Sequence, residues 1–304
     1  MTLQSSHQQT TVNRGVTQVC AGRPTADGAG VRLTRVIGTP EISMLDPFLL
    51  LDIFESDNPA DYIGGFPAHP HRGFETVTYM LAGRMEHQDS VGNKGVIESG
   101  AVQWMTAGSG IIHSEMPKQQ AGLLKGIQLW VNLPARLKMS APAYREFDAT
   151  RIAIDKPRAG VTGKVIAGAT LDGAVGPVND VVTQPILIDL ELAGGADFLQ
   201  PIPHTHNSFI YVIDGEVSVI AGGNKTSVPA RSIGILSNGE QVQLAGKAKH
   251  NRLLLAAALK LDEPVARGGP FVMNTKAEIL AAFRDYSRGT LVAAGDRHGN
   301  RSGD

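Results

Sequence analysis

The feature that most limits how this chain can fold is an internal echo. Tyr79-Met80-Leu81-Ala82-Gly83 is repeated in kind as Tyr211-Val212-Ile213-Asp214-Gly215. An H-x-H pair precedes each copy: His69-Pro70-His71 and His204-Thr205-His206. Each copy reads as a β-rich strand, a glycine turn and a return strand, Arg84 to Asp89 in the first and Glu216 to Ile220 in the second. The separation is far too long for a solenoid or propeller period. The echo therefore predicts two duplicated β domains, and 304 residues is a suitable length for two.

The stretches between fit that class. With 35 glycines and 17 prolines, turn chemistry interrupts the chain too often for long helices. Val31 to Gly38, Phe48 to Phe54, Phe74 to Leu81, Ile127 to Leu133, Pro185 to Leu190 and Arg252 to Leu259 read as strands. One helix is expected near 275–288. Thr275 and Glu278 fit a capping box, Ile279, Phe283 and Tyr286 share a face, and Gly289 stops it. The expected organisation is a disordered arm over 1–15, an N-terminal domain over 16–148, a linker with short strands over 149–180 and a C-terminal domain over 181–295.

Composition excludes several classes. Lys and Arg number 28 against 29 Asp and Glu, so no global field draws the chain to nucleic acid or an anionic membrane. The longest clear apolar run, Leu253 to Leu259, falls far short of the ~20 residues of a spanning helix. Cys20 is the single cysteine, which rules out an intrachain disulfide and any Cys-rich zinc site. A soluble, cytoplasmic protein is expected.

The chemistry concentrates in His69, His71, Glu75, His113 and Glu115. Residues i and i+2 of a strand share a face. His69 and His71 can therefore meet at one point, with Glu75 on the same parity, and His113 and Glu115 form a second such pair. Three imidazoles and one or two carboxylates suit a first-row metal such as Fe, Mn, Ni, Cu or Zn. Spacing does not choose between Glu75 and Glu115. His204 and His206 have no comparable partner pair and read as a surface loop. His87 reads as part of a solvated strand face, and Trp104 and Trp130 as core aromatics.

Two long stretches carry a resemblance. Gly65-Phe66-Pro67-Ala68-His69-Pro70-His71-Arg72-Gly73-Phe74-Glu75-Thr76 and Gln103-Trp104-Met105-Thr106-Ala107-Gly108-Ser109-Gly110-Ile111-Ile112-His113-Ser114-Glu115-Met116-Pro117 resemble the pirin family of the cupin superfamily. Asp46-Pro47-Phe48 and Gly269 to Thr275 are also similar to it. The resemblance implies a mainly β bicupin, two antiparallel barrel or jelly-roll domains with a C-terminal helix. It implies one non-haem divalent metal on His69, His71, His113 and Glu115, iron(II) first, with Mn, Ni, Cu, Zn or Co as alternatives. Glu75, the carboxylate of the general cupin pattern, then lies behind the ligands or in the cavity wall.

The activity implied is a flavonol, quercetin-type 2,3-dioxygenase acting on a small aromatic substrate and dioxygen. Glu115 or Glu75 would be the base for the substrate proton. Phe66, Phe74 and Met116 could wall the cavity. The alternative implied by the family is an iron-dependent regulator that binds other proteins, with the metal as a redox switch. Neither reading includes direct nucleic-acid or membrane binding.

Overall fold

The computed structural model describes residues 11–292. Within them the chain forms 24 strands and a single α-helix, Lys276–Ser287, so the expected β class holds. No helix among the described residues is long and apolar enough to cross a membrane.

Two compact units emerge, each a seven-stranded antiparallel sheet facing a four-stranded one. In the first, Phe74–Ala82 and Leu124–Asn132 pair at the centre of the large sheet, with Phe48–Ser56 beside them. The small sheet runs Phe66–His71, Ile111–Pro117, Arg84–Asp89, Lys94–Glu98. Phe54, Met80, Met85, Ile97 and Leu124 fill a core between them. Phe48–Ser56 is buried along nearly its whole length, because Leu49 on its other face packs with Phe74 and Val272. A strand covered on both faces loses polar alternation, which is why this one reads as a continuous apolar run.

The second unit repeats the layout. Its large sheet centres on His206–Asp214 and His250–Leu259, and its small sheet runs Asp197–Pro201, Gln241–Gly246, Glu216–Ala221, Asn224–Pro229.

The units do not divide the chain into consecutive blocks. Among the described residues, 11–20, 154–179 and 185–258 make one, and 21–153, 180–184 and 259–292 the other. Val16–Ala21 pairs at the edge of the sheet built around His206–Asp214, in the place that Ala143–Phe147 holds in the other sheet. Ala153–Asp155 and Val161–Ala167 extend that same sheet, so the stretch expected as a linker is largely structural. The helix belongs to the unit of residues 21–153, not to the C-terminal one.

Two details differ from the sequence reading. Residues 1–10 of the expected arm lie outside the described residues, as do residues 293–304. The rest of the arm is ordered: Arg14 is fully buried and its guanidinium donates to the carbonyls of Pro203, His206 and Ser237 and the Ser208 hydroxyl. A polar sequence read as an arm because its one cation finds its acceptors far along the chain. The helix has the expected capping box at Thr275 and Glu278. Its buried face, however, is Ile279 and Ala282 on Phe271 and Met273, while Phe283 and Tyr286 stay partly exposed.

Candidate metal centre

Phe66–His71 is a strand, so His69 and His71 lie on one side of it. Its antiparallel neighbour Ile111–Pro117 places His113 directly opposite His69. The ring-nitrogen ligand atoms of His69, His71 and His113 all lie within 4.8 Å of one another. The ring centroids are 4.4 to 5.0 Å apart. A register shift between His113 and Glu115 bends the strand just beyond the triad.

Two turns fix this geometry. Arg72-Gly73 separates the strand of His71 from the strand Phe74–Ala82. Gly73 has φ +88, and a Cβ there would lie 2.0 Å from Val272 O, so the position tolerates only glycine. Gly73 N–H donates to Gly108 O at 2.8 Å, tying the two turns together. Arg72 donates to Ser109 O and, at 2.7 Å, to the Asp285 carboxylate on the helix. The buried Lys138 ammonium donates to Gly73 O, Val272 O and Asn132 Oδ1 at 2.7 to 3.0 Å.

The triad is suited to a cation. Burial and the neighbouring imidazoles hold His71 and His113 well below the usual histidine pKa, so both are neutral donors. His69 Nδ1 lies 2.8 Å from Pro67 O, and His71 Nδ1 lies 3.4 Å from Pro270 O. These contacts leave the Nε2 atoms of both rings free. Both ring nitrogens of the buried His113 lack any hydrogen-bond partner. An unpartnered buried imidazole beside two others is costly without an ion to share, and a divalent metal satisfies all three.

Glu115 is buried near the triad without being one of its members. Its Oε1 lies 2.9 Å from Thr78 Oγ1, which lies 2.8 Å from Gln128 Oε1. Burial pushes its carboxyl up, against the pull of His69 and the Thr78 bond.

Glu75 stands apart. The parity that would align it with His69 and His71 is broken by the turn at Gly73. On Phe74–Ala82 it is three residues from Thr78, so the two side chains take opposite faces. It accepts from Thr106 Oγ1 at 2.7 Å and does not line the cavity beside the triad. His87 also departs from expectation: it is fully buried, cross-strand from Glu115, and its Nε2 pairs with the Glu146 carboxylate.

A cavity of about 620 Å³ opens beside the imidazoles. His69, His71 and Glu115 form its floor, and Phe66 and Trp130 are aromatic wall. Trp130, read from sequence as core, lies 5.2 Å from the His71 ring and 4.4 Å from Phe74. Of the other expected wall residues, Phe74 is buried behind Trp130, and Met116 does not line the space. Trp104 is core, as expected. Sequence reasoning missed Arg35, Asp52 and Arg267, which also line the cavity. Asp52 carried a usable signal, an acid in the middle of an otherwise apolar strand.

The second H-x-H pair is not the counterpart of the first. His206–Asp214 corresponds along its whole length to Phe74–Ala82, each ending at a positive-φ glycine, Gly215 or Gly83. His206 is thus the counterpart of Phe74, three residues out of step with His71. Glu115 pairs with His87, whose counterpart Val219 pairs with Leu244. His113 pairs with His69, and two residues before Leu244, Val242 pairs with Gln200. The second unit therefore sets Gln200, Val242 and Leu244 where the first has His69, His113 and Glu115.

Paired seven- and four-stranded sheets, duplicated, with three imidazoles on the small sheet of one copy, define a two-domain cupin. A family profile described as Pirin matches residues 30–131, and one described as Pirin C-terminal cupin domain matches residues 187–292. The chain belongs to the pirin family. It is 49% identical over 276 residues to a pirin-like protein of Caulobacter vibrioides, covering 91% of this chain and 98% of that one. A pirin-like protein of Solanum lycopersicum is 43% identical over 282 residues, covering 91% and 92%. Among solved structures, a quercetin 2,3-dioxygenase from Acinetobacter baumannii aligns with a TM-score of 0.83 at 33% identity, covering 92% of this chain and 98% of that one.

Proposed function

We propose that this chain is a metal-dependent dioxygenase of the quercetinase type, with His69, His71, His113 and Glu115 holding one divalent metal, iron(II) by preference. The observation that carries the reading is a cluster of three imidazoles, His69, His71 and His113, of which His69 and His71 line a cavity of about 620 Å³ with aromatic walls. The similarity to a solved quercetin 2,3-dioxygenase supports the substrate class. The residues fit a metal, as the unpartnered nitrogens of His113 argue. A bound metal would supply Lewis acidity to the hydroxyl of a flavonol and a template for its orientation.

The remaining roles fall to the chain. Phe66 and Trp130 bind the flat faces of the substrate and exclude water. Glu115 takes the proton of the substrate hydroxyl on a carboxylate oxygen; Thr78 fixes the orientation of that carboxylate. Glu75, on the other face of its strand, has no part in the proton transfer. The overall reaction inserts both atoms of dioxygen into the opened ring and releases carbon monoxide, so no further reductant is required.

The test is anaerobic reconstitution with separate divalent metals, followed by oxygen uptake with a flavonol panel. Oxygen uptake matched by carbon monoxide release, and abolished by chelation, is the expected result. Chelator-insensitive turnover, or none with any metal, would remove the dioxygenase reading.

A further inference from the structure

The geometry points to Arg267 as the residue that selects substrate, by binding an acidic oxygen on the ring of a flat aromatic ligand farthest from the imidazoles. The inference rests on the dioxygenase reading and adds a preference, among flat phenolic substrates of the flavonol type, for those with an acidic oxygen on the far ring.

Two arginines line the cavity, and only one is spoken for. Arg35 donates to both oxygens of Asp52, through Nε at 2.9 Å and Nη2 at 2.7 Å, and its Nη2 also reaches Asp27 Oδ2 at 2.9 Å. The two carboxylates of the cavity rim are thus committed to Arg35. Arg267 has no carboxylate within ion-pair distance among the described residues. Among the described residues its guanidinium makes one hydrogen bond, from Nη1 to Leu49 O at 3.1 Å. The other N–H donors of its fork are free to meet a ligand, and a fork of parallel donors matches a carboxylate. Burial and the nearby Arg35 press on its charged form, against the pull of Asp52 and Asp27.

Trp130 sets the distance. The Arg267 guanidinium stacks 5.1 Å from the Trp130 ring centroid, and the His71 ring lies 5.2 Å from the same centroid. Cation and imidazole thus share one indole as a neighbour. A flat fused-ring phenol lying along Trp130, its hydroxyl toward the triad, brings its far ring to Arg267. Gly269 and Pro270, next along the chain, line the same cavity and hold the Arg267 segment at its edge. Among the described residues that line the cavity, Arg267 is the one arginine or lysine without a carboxylate partner, so the acidic group has one cation to face.

The experiment compares two probes by calorimetry on the full-length chain loaded with one divalent metal under anaerobic conditions. The probes are 6-hydroxy-2-naphthoate and 2-naphthol, which differ by the far-ring carboxylate. Wild type should favour the naphthoate by about tenfold, as one partly exposed charge-assisted contact implies. Arg267→Met should erase the preference, Arg267→Lys keep part of it and Arg267→Glu reverse it, with 2-naphthol affinity and metal content unchanged throughout. A preference that survives Arg267→Met and Arg267→Glu would overturn the inference. So would a wild type that ignores the carboxylate or binds neither probe. Equal loss of both probes in Arg267→Met would also overturn it, because Arg267 would then act only through the packing of Trp130. Failure of the dioxygenase reading shows separately, as absent oxygen uptake by the wild type with a plain flavonol.

Discussion

A single residue, Gly73, decides which carboxylate can serve the imidazoles. It breaks strand parity between His71 and Glu75, so one acid is carried to the cavity floor and the other to the far face. The consequence is measurable in metal titrations. His69→Ala, His71→Ala, His113→Ala and Glu115→Ala should each weaken metal by more than the ~10–100-fold typical of losing a supporting group. Glu75→Gln should leave metal affinity within a few-fold of wild type; if it empties the site while Glu115→Ala does not, the assignment of the carboxylate is reversed. Glu75 should instead show itself through pH. Burial raises its pKa in the fold above the ordinary value near 4.5. The folded state therefore binds more protons than the unfolded one, and stability falls as pH rises from that value through the raised one. Against Glu75→Gln, wild type should match the variant in acid and lose ground in Tm as pH climbs toward neutrality. A gap that widens in acid would contradict the sign. The imidazole donors were legible in the sequence because strand parity is local. The parity of Glu75 was not, since it depends on a turn whose conformation the backbone at Gly73 sets.

At the scale of elements, the triad is held by segments distant in the chain. Lys138 joins the Gly73 turn, the strand Phe271–Met273 and the end of Leu124–Asn132 through three hydrogen bonds. Lys138→Met keeps much of the volume and strands two carbonyls and an amide oxygen without donors. At ~1–3 kcal/mol for each buried acceptor left unpaired, partly relieved by the gain in apolar packing, the net loss should be about 2–4 kcal/mol. Denaturant melts check this, and metal affinity should fall with it as the His71 turn loosens. A variant as stable as wild type would show the brace to be dispensable. The strands themselves were readable from alternation and turn residues. The brace was not, because nothing local marks Lys138, two residues after Arg136 in a short connection, as buried until Val272 and Gly73 close over it. The same holds for Trp130, whose strand pattern fits a core position and a cavity wall equally well. Asp52 is different: an acid within Phe48–Phe54 needs a partner to be buried, and Arg35 supplies it.

Across the whole molecule, duplication explains both what the sequence announces and what it conceals. The strand and turn of the echo are the true repeat, and the two copies match from Phe74 to Asp89 and from His206 to Ala221 without a gap. The H-x-H pairs are not part of it, and the spacing already hinted at this: His71 stands eight residues before Tyr79, His206 only five before Tyr211. In the second barrel the counterpart positions hold an amide and two aliphatic side chains, and the buried guanidinium of Arg14 lies against the carbonyls of Pro203 and His206. A fixed cation there disfavours a second one, and Val242 and Leu244 offer no donor atom. Elemental analysis after exhaustive dialysis should therefore give one metal per chain, unchanged in a His204→Ala/His206→Ala variant. A value near two that falls to one in that variant would make the second barrel a working site. Arg14→Met should not create a second site. It should lower stability by about 2–4 kcal/mol, since four acceptors lose a charged donor whose own desolvation cost offsets part of the loss. Because Arg14 comes from the start of the chain and the barrel it fills from residues 154–258, removing residues 1–15 should destabilise the C-terminal barrel while the imidazole triad still binds metal. Loss of metal on that truncation would show that the two units depend on each other.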